Sequence, residues 1–127
     1  MPVAPRGALP AWMTAGDTSG TVPAAAWVRR HLHYEPRDAG LFEQALTHRS
    51  AARSNNERLE FLGDAILNLV VAQYLYEQYG DADEGALSRL RAAVVSGASL
   101  ARVAAALELG PALALGAGEL KTGGFRR

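Results

Sequence analysis

Asn56-Glu57-Arg58-Leu59-Glu60-Phe61-Leu62-Gly63-Asp64 sets three carboxylates inside a stretch that otherwise reads as a buried helix. At about 100° per residue, Glu57, Glu60 and Asp64 fall within about 60° of one another, while Leu59, Leu62, Ile66, Leu69 and Val70 take the opposite side. Buried carboxylates are costly unless paired, hydrogen-bonded or bound to a cation, and a stripe of acidic oxygens suits a hard divalent ion such as Mg²⁺. An ordinary reading covers two of the three. Ser54 with Glu57 fits a capping box, and Glu57 and Glu60 would both sit in the positive end of the helix dipole. Asp64 lies about two turns in, where that dipole gives little and Asp is a mediocre helix former. A metal or acid/base role for Glu60 and Asp64 therefore stands beside the capping role.

Asn56 to Leu67, NERLEFLGDAIL, resembles the signature of bacterial ribonuclease III, the double-stranded-RNA endonuclease. Leu46-Thr47-His48-Arg49-Ser50 upstream, Asp83-Glu84-Gly85-Ala86-Leu87-Ser88 with Leu90-Arg91-Ala92 downstream, and Leu109-Gly110, Leu113 to Gly116 and Gly118-Glu119-Leu120-Lys121 through Gly123 to Arg127 follow that family's pattern in the same order. The likeness runs from about Trp27 to the last residue. Several motifs in register are far more specific than one.

The resemblance implies an all-α fold, a helical bundle like the ribonuclease III endonuclease domain, that dimerises, binds Mg²⁺ (or Mn²⁺ in its place) and cuts double-stranded RNA in ribosomal RNA precursors and messenger RNAs. By resemblance Glu60 corresponds to a metal ligand and Asp64 to an essential acid that is both catalytic and metal-binding. Glu57 and Glu84 match acids near the dimer seam and active-site valley, and Phe61 matches an aromatic that enters a pocket on the partner subunit. An ordinary core Phe would look the same in sequence. The products implied carry a 5′-phosphate and a 3′-hydroxyl with short 3′ overhangs. The residue types suit this chemistry, since carboxylate-held Mg²⁺ can supply an activated water and a stabilised leaving oxygen with no side-chain nucleophile. The chain has no Cys, no Gly-x-Ser-x-Gly elbow and no phosphate-cradling Gly-x-x-x-x-Gly-Lys-Ser/Thr loop, and nothing calls for an organic cofactor.

The family's site is completed by an Asp and a Glu three residues apart on a helix beyond Gly-Gly-Phe-Arg-Arg, whereas this sequence stops at Arg127. Glu108 and Glu119 do not match those positions. The expectation is a catalytic domain incomplete at its C-terminus, spanning 24–127 after a flexible leader at 1–23, without the double-stranded-RNA-binding domain and inactive or nearly so alone. Half an acidic shell should hold Mg²⁺ weakly.

With 13 basic and 13 acidic residues the formal charge is zero, so no global field draws the chain onto nucleic acid. Local basic residues, namely Arg89, Arg91, Lys121, Arg126 and Arg127, are the candidates for RNA-backbone contact, with solvated surface charge as the alternative for each. The absence of Cys excludes a disulfide framework and thiolate metal sites. Residues 1–23 are broken by Pro2, Pro5, Pro10 and Pro23 and lack an export signal, and no run is apolar enough to span a bilayer, so a cytoplasmic protein with no membrane partner is expected.

The layout predicts helices at Ala24–His33, Leu41–His48, Ser54–Tyr79, Glu84–Ser96 and Ser99–Leu109, then a Gly-rich loop from Leu113. No period-two alternation supports a sheet. His31 and His33 point to different sides of a helix without an acidic neighbour in sequence, and His48 reads as a structural hydrogen-bonder at a helix end. Two rival functions remain. One is a catalytically silent RNA-binding or ribosome-associated protein of the same fold, against which the cost of two unneutralised buried carboxylates argues. The other is a helix-turn-helix regulator, disfavoured because the helices around Ser88 and Ala101 are Ala-rich and apolar where a recognition helix should be polar.

Overall fold

The computed structural model describes residues 22–122 and is helical. Pro23 precedes α1 (Ala24–Leu32), which stops at His33 in the left-handed region (φ 50°). Asp38 caps α2 (Ala39–Ala45) by accepting the Leu41 N–H at 3.2 Å. The long α3 (Glu57–Gln78) rises for about 33 Å. Asp83 caps α4 (Glu84–Val94) through the Ala86 N–H at 2.7 Å, and Ser96 caps α5 (Gly97–Ala106) through the Ser99 N–H at 3.3 Å. A 3-10 turn (Gly110–Ala112) and α6 (Ala117–Thr122) follow. In the span where the glycines predict a loop, Ala117-Gly118-Glu119-Leu120-Lys121-Thr122 is helical: one glycine in a first turn does not outweigh four good helix formers. Among the described residues there is no strand, only an isolated parallel bridge between Thr47 and Ala114. None of the described helices is long and apolar enough to cross a membrane. The expected leader lies outside the described residues except for Val22 and Pro23, and Val22 is already part of the fold, its N–H donating to the Pro111 carbonyl at 2.8 Å.

The core joins the two ends of the described chain. Trp27, Val28 and Ala112 are buried together, with Val22, Phe42, Leu46, Leu107 and Leu109 packed around them. The Trp27 indole N–H reaches the Leu107 carbonyl at 2.8 Å and the Glu108 carbonyl at 3.2 Å, satisfying the one polar group of a buried indole. His31 stacks on Trp27 with ring centroids 5.4 Å apart, and its Nε2 lies 3.5 Å from a Glu108 carboxylate oxygen, so the acidic partner not visible nearby in sequence comes from beyond α5. On the surface a two-point hydrogen bond from Arg29, each contact 2.7 Å, holds the Glu35 carboxyl below its usual range. Solvent leaves that pair little weight in stability.

α3 departs from expectation. It packs chiefly against α4, and Leu75 is its one buried residue. Leu62, Ile66, Leu69 and Val70, the face expected to be buried, are exposed, Leu69 by 67%. Periodicity establishes that a helix has an apolar face; it does not supply the surface that covers it. The carboxylates on the other face are exposed as well, so the premise of buried charge fails.

Candidate functional site

The acids stand on the first two turns of α3, and the local sequence explains how that helix starts. Asn56 takes the N-cap position without a side-chain cap bond, and Asn55 acts instead, its Oδ1 accepting the Glu57 N–H at 3.1 Å. The Ser54–Glu57 capping box does not form, because Ser54 sits two residues before the cap. Gln44 on α2 steadies this entry by donating from Nε2 to the Asn55 carbonyl at 3.1 Å. Sequence reasoning misses Gln44 and Asn55 as supports; the one signal for them is the paired Asn55-Asn56 before the helix, since Asx residues bond to nearby backbone.

Glu60 and Asp64 are one turn apart on a single exposed face, about 6 Å along the axis. Among the described residues no hydrogen bond or ion pair engages the Glu60 carboxylate. Asp64 is only lightly held: Asn68 Nδ2 donates to its backbone carbonyl at 2.9 Å and lies 3.5 Å from Oδ1. Two open carboxylates one turn apart would be two of the six oxygen donors that Mg²⁺ takes. Among the described residues no group of three or more His, Asp or Glu is placed to hold a metal.

The other expected residues are not drawn into the pair. Glu57 turns toward Arg49, with 3.6 Å between carboxylate and guanidinium. Glu84, at the start of α4, accepts the Ser88 hydroxyl proton at 2.7 Å. It lines a mainly apolar groove of about 490 Å³ between α3 and α4 with Leu69, Gln73 and Tyr76, well down α3 from Asp64. Arg91 lines the same groove, while Arg89 on the same helix is exposed. Lys121 falls on α6, with its side chain outside the described residues, and Arg126 and Arg127 lie outside them altogether. Phe61 is 83% exposed, so it takes no part in the core among the described residues. It borders a hollow lined by Gln44, Glu57, Arg58, Leu59 and Leu62 at the head of α3.

A family model described as ribonuclease-III-like matches residues 38–127. The curated protein Ribonuclease 3 of Methylococcus capsulatus is 64% identical over 98 residues, covering 77% of this chain and 43% of that protein. Ribonuclease 3 of Bordetella pertussis is 56% identical over 107 residues, covering 84% and 42%. The chain thus spans a little over two-fifths of these relatives' length. Among solved structures, the nuclease domain of ribonuclease III from Campylobacter jejuni superposes with a TM-score of 0.76 at 45% identity, covering 80% of this chain and 71% of that one; it is described for structural flexibility in a region involved in dimer formation.

Proposed function

The chain belongs to the ribonuclease-III-like family, and from that premise we propose that it forms part of a Mg²⁺-dependent endonuclease that cleaves double-stranded RNA. The observation that carries the reading is the Glu60/Asp64 pair, two unburied carboxylates one turn apart at the place where the family motif is densest. Duplex regions of ribosomal precursors and messenger RNAs are its substrates, in a cytoplasmic setting. Mg²⁺, or Mn²⁺ in its place, supplies an activated water and screens charge on the phosphate when bound. The chain's own contribution is to present Glu60 and Asp64 from a rigid helix whose start is fixed by Asn55 and Gln44. Glu60 and Asp64 would supply only two protein donors, too few by themselves to hold the ion tightly. Of the two arginines expected on α4, Arg89 is exposed and open to phosphate, whereas Arg91 is partly covered in the groove.

A silent RNA-binding protein of the same fold competes with this reading, and the exposure of Glu60 and Asp64 removes the energetic argument against it. The test is to set residues 22–127 in place of the matching segment of the Methylococcus capsulatus protein and offer paired RNA, or DNA of equivalent sequence, with Mg²⁺. Cleavage of RNA alone, abolished by chelation, supports the nuclease. Binding of RNA without cleavage gives the silent binder, and indifference to RNA rejects both.

A second copy of the chain is the proposed cover for Phe61. Its exposure and the hollow beside it support this, as does the dimer formation described for the Campylobacter jejuni domain. Phe61→Ala should leave monomer stability within about 0.5 kcal/mol, as for an exposed side chain. Loss of an interface anchor worth about 2 kcal/mol would weaken self-association roughly 30-fold. A sedimentation profile unchanged from wild type would reject the interface role.

A further inference from the structure

Between α2 and α3 lies a stretch, Leu46–Asn56, that touches both the C-terminal part of the chain and the head of the acidic helix. The His48 N–H donates to the Ala114 carbonyl at 2.9 Å, and the Ala114 N–H donates back to the Leu46 carbonyl at 2.8 Å, forming the parallel bridge. On its other side Thr47 accepts the Asn56 N–H at 2.9 Å, so one residue sits between the 113–116 segment and the first residue of the α3 entry. Ser50 adds a side-chain contact to this backbone one. Its N–H donates to His48 Nδ1 at 3.2 Å, which makes that ring nitrogen an acceptor. The Ser50 hydroxyl, 2.7 Å from the same nitrogen, therefore donates to it and keeps its own lone pairs for the Gly116 N–H at 2.9 Å. Gly116 has to be glycine here, because a Cβ on it would collide with the Ser50 carbonyl oxygen.

We propose that Ser50 is a positioning residue: steadied by His48, its hydroxyl latches the 113–116 segment to the stretch that seats α3, and so holds α6 and the Glu60/Asp64 pair in one fixed relation. The contact is built from both sides, by a hydroxyl with donor and acceptor assigned and by a glycine with no room for a side chain. Neither Ser50 nor Gly116 is a member of the core around Trp27. The part of the proposal that concerns activity rests on the nuclease reading; the latch itself does not.

Hydrogen exchange of individual amides in the 127-residue chain separates the two. Ser50→Ala should speed exchange at Gly116, and through Thr47 at Asn56, by about tenfold each while amides in the middle of α4 keep their wild-type rates. Ser50→Thr, which keeps the hydroxyl, should restore both. Gly116→Ala forces the same contact apart from the opposite side and should reproduce the Ser50→Ala pattern, so the result does not hang on one variant folding. Acceleration at Gly116 alone, or at neither amide, overturns the latch. In the chimeric protein, Ser50→Ala should lower kcat for duplex RNA about tenfold with KM changed less than about twofold, as expected of misplacement without lost substrate contact. An unchanged kcat overturns the positioning role. A wild-type chimera that does not cleave rejects the nuclease reading and leaves the latch to be decided by the exchange rates.

Discussion

Trp27→Ala removes roughly 3–5 kcal/mol of stability, the cost of emptying a buried aromatic site. The effect is large because this one side chain does three things. It fills the space between α1 and the 3-10 turn, it supports the stacked His31, and its indole N–H ties the carbonyls of Leu107 and Glu108 that end α5. Against total stabilities of about 5–15 kcal/mol for a domain, that loss is a large fraction, and it unfolds a good part of the population if the domain lies at the lower end of the range. Trp27→Phe keeps a ring in the site and discards the N–H, and should cost about 1–2 kcal/mol. Urea unfolding followed by far-ultraviolet circular dichroism measures both; a Trp27→Ala loss below about 1 kcal/mol would mean that this cluster is not the core.

Asp64→Asn in the chimeric protein should reduce cleavage of duplex RNA by at least about 100-fold, the low end of what a group acting at the reacting atoms contributes. Asn keeps the shape and the light contact with Asn68 but has no charge to bring to a divalent cation. Because Asp64 is exposed, the substitution carries no folding penalty that could imitate catalytic loss. Duplex binding should stay within about twofold of wild type, since most nucleic-acid affinity comes from basic residues. Measuring both in parallel separates the outcomes: retained cleavage rejects Asp64 as an active-site acid, and a joint fall in binding and cleavage places it in RNA contact instead.

The fold was legible where a cap and a period agree. Asp83 followed by Glu84 marks the start of α4 where the sequence predicts it. For α5 the expected start at Ser99 is two residues late, because Ser96 is the residue that caps and Ser99 supplies the capped N–H. The α2 helix begins earlier and ends sooner than Leu41–His48, since Asp38 caps it and Thr47 is drawn into the bridge with Ala114, a partner that local sequence does not reveal. Composition misled at α6, where glycine content outweighed the helix formers between the glycines.

For the candidate site, spacing alone was enough to put Glu60 and Asp64 on one face. It could not show that the face is exposed, and exposure leaves no buried charge for a cation to relieve. Nor can spacing along separate helices say which turn faces which: Glu84 proves to lie beside Gln73 and Tyr76, away from the acidic pair. Phe61 reads in sequence as an interface aromatic with a core role as the lesser alternative, and its exposure among the described residues speaks against the core role. His48 as a structural hydrogen-bonder at a helix end agrees with its contact to Ser50.

Trp27 and Val28 meet Leu107, Leu109 and Ala112, and Thr47 meets Ala114, so the buried centre unites stretches far apart in the chain. A polypeptide leaving the ribosome N-terminus first holds Trp27 without Leu107, Leu109 and Ala112 until α3, α4 and α5 have all been made. The α3–α4 pair is local and can associate early, but it buries little; the step that encloses the indole comes late and requires closing a long loop. Synthesis therefore passes through a stage in which helices are present and the core is not, with the apolar side of α3 open to other chains.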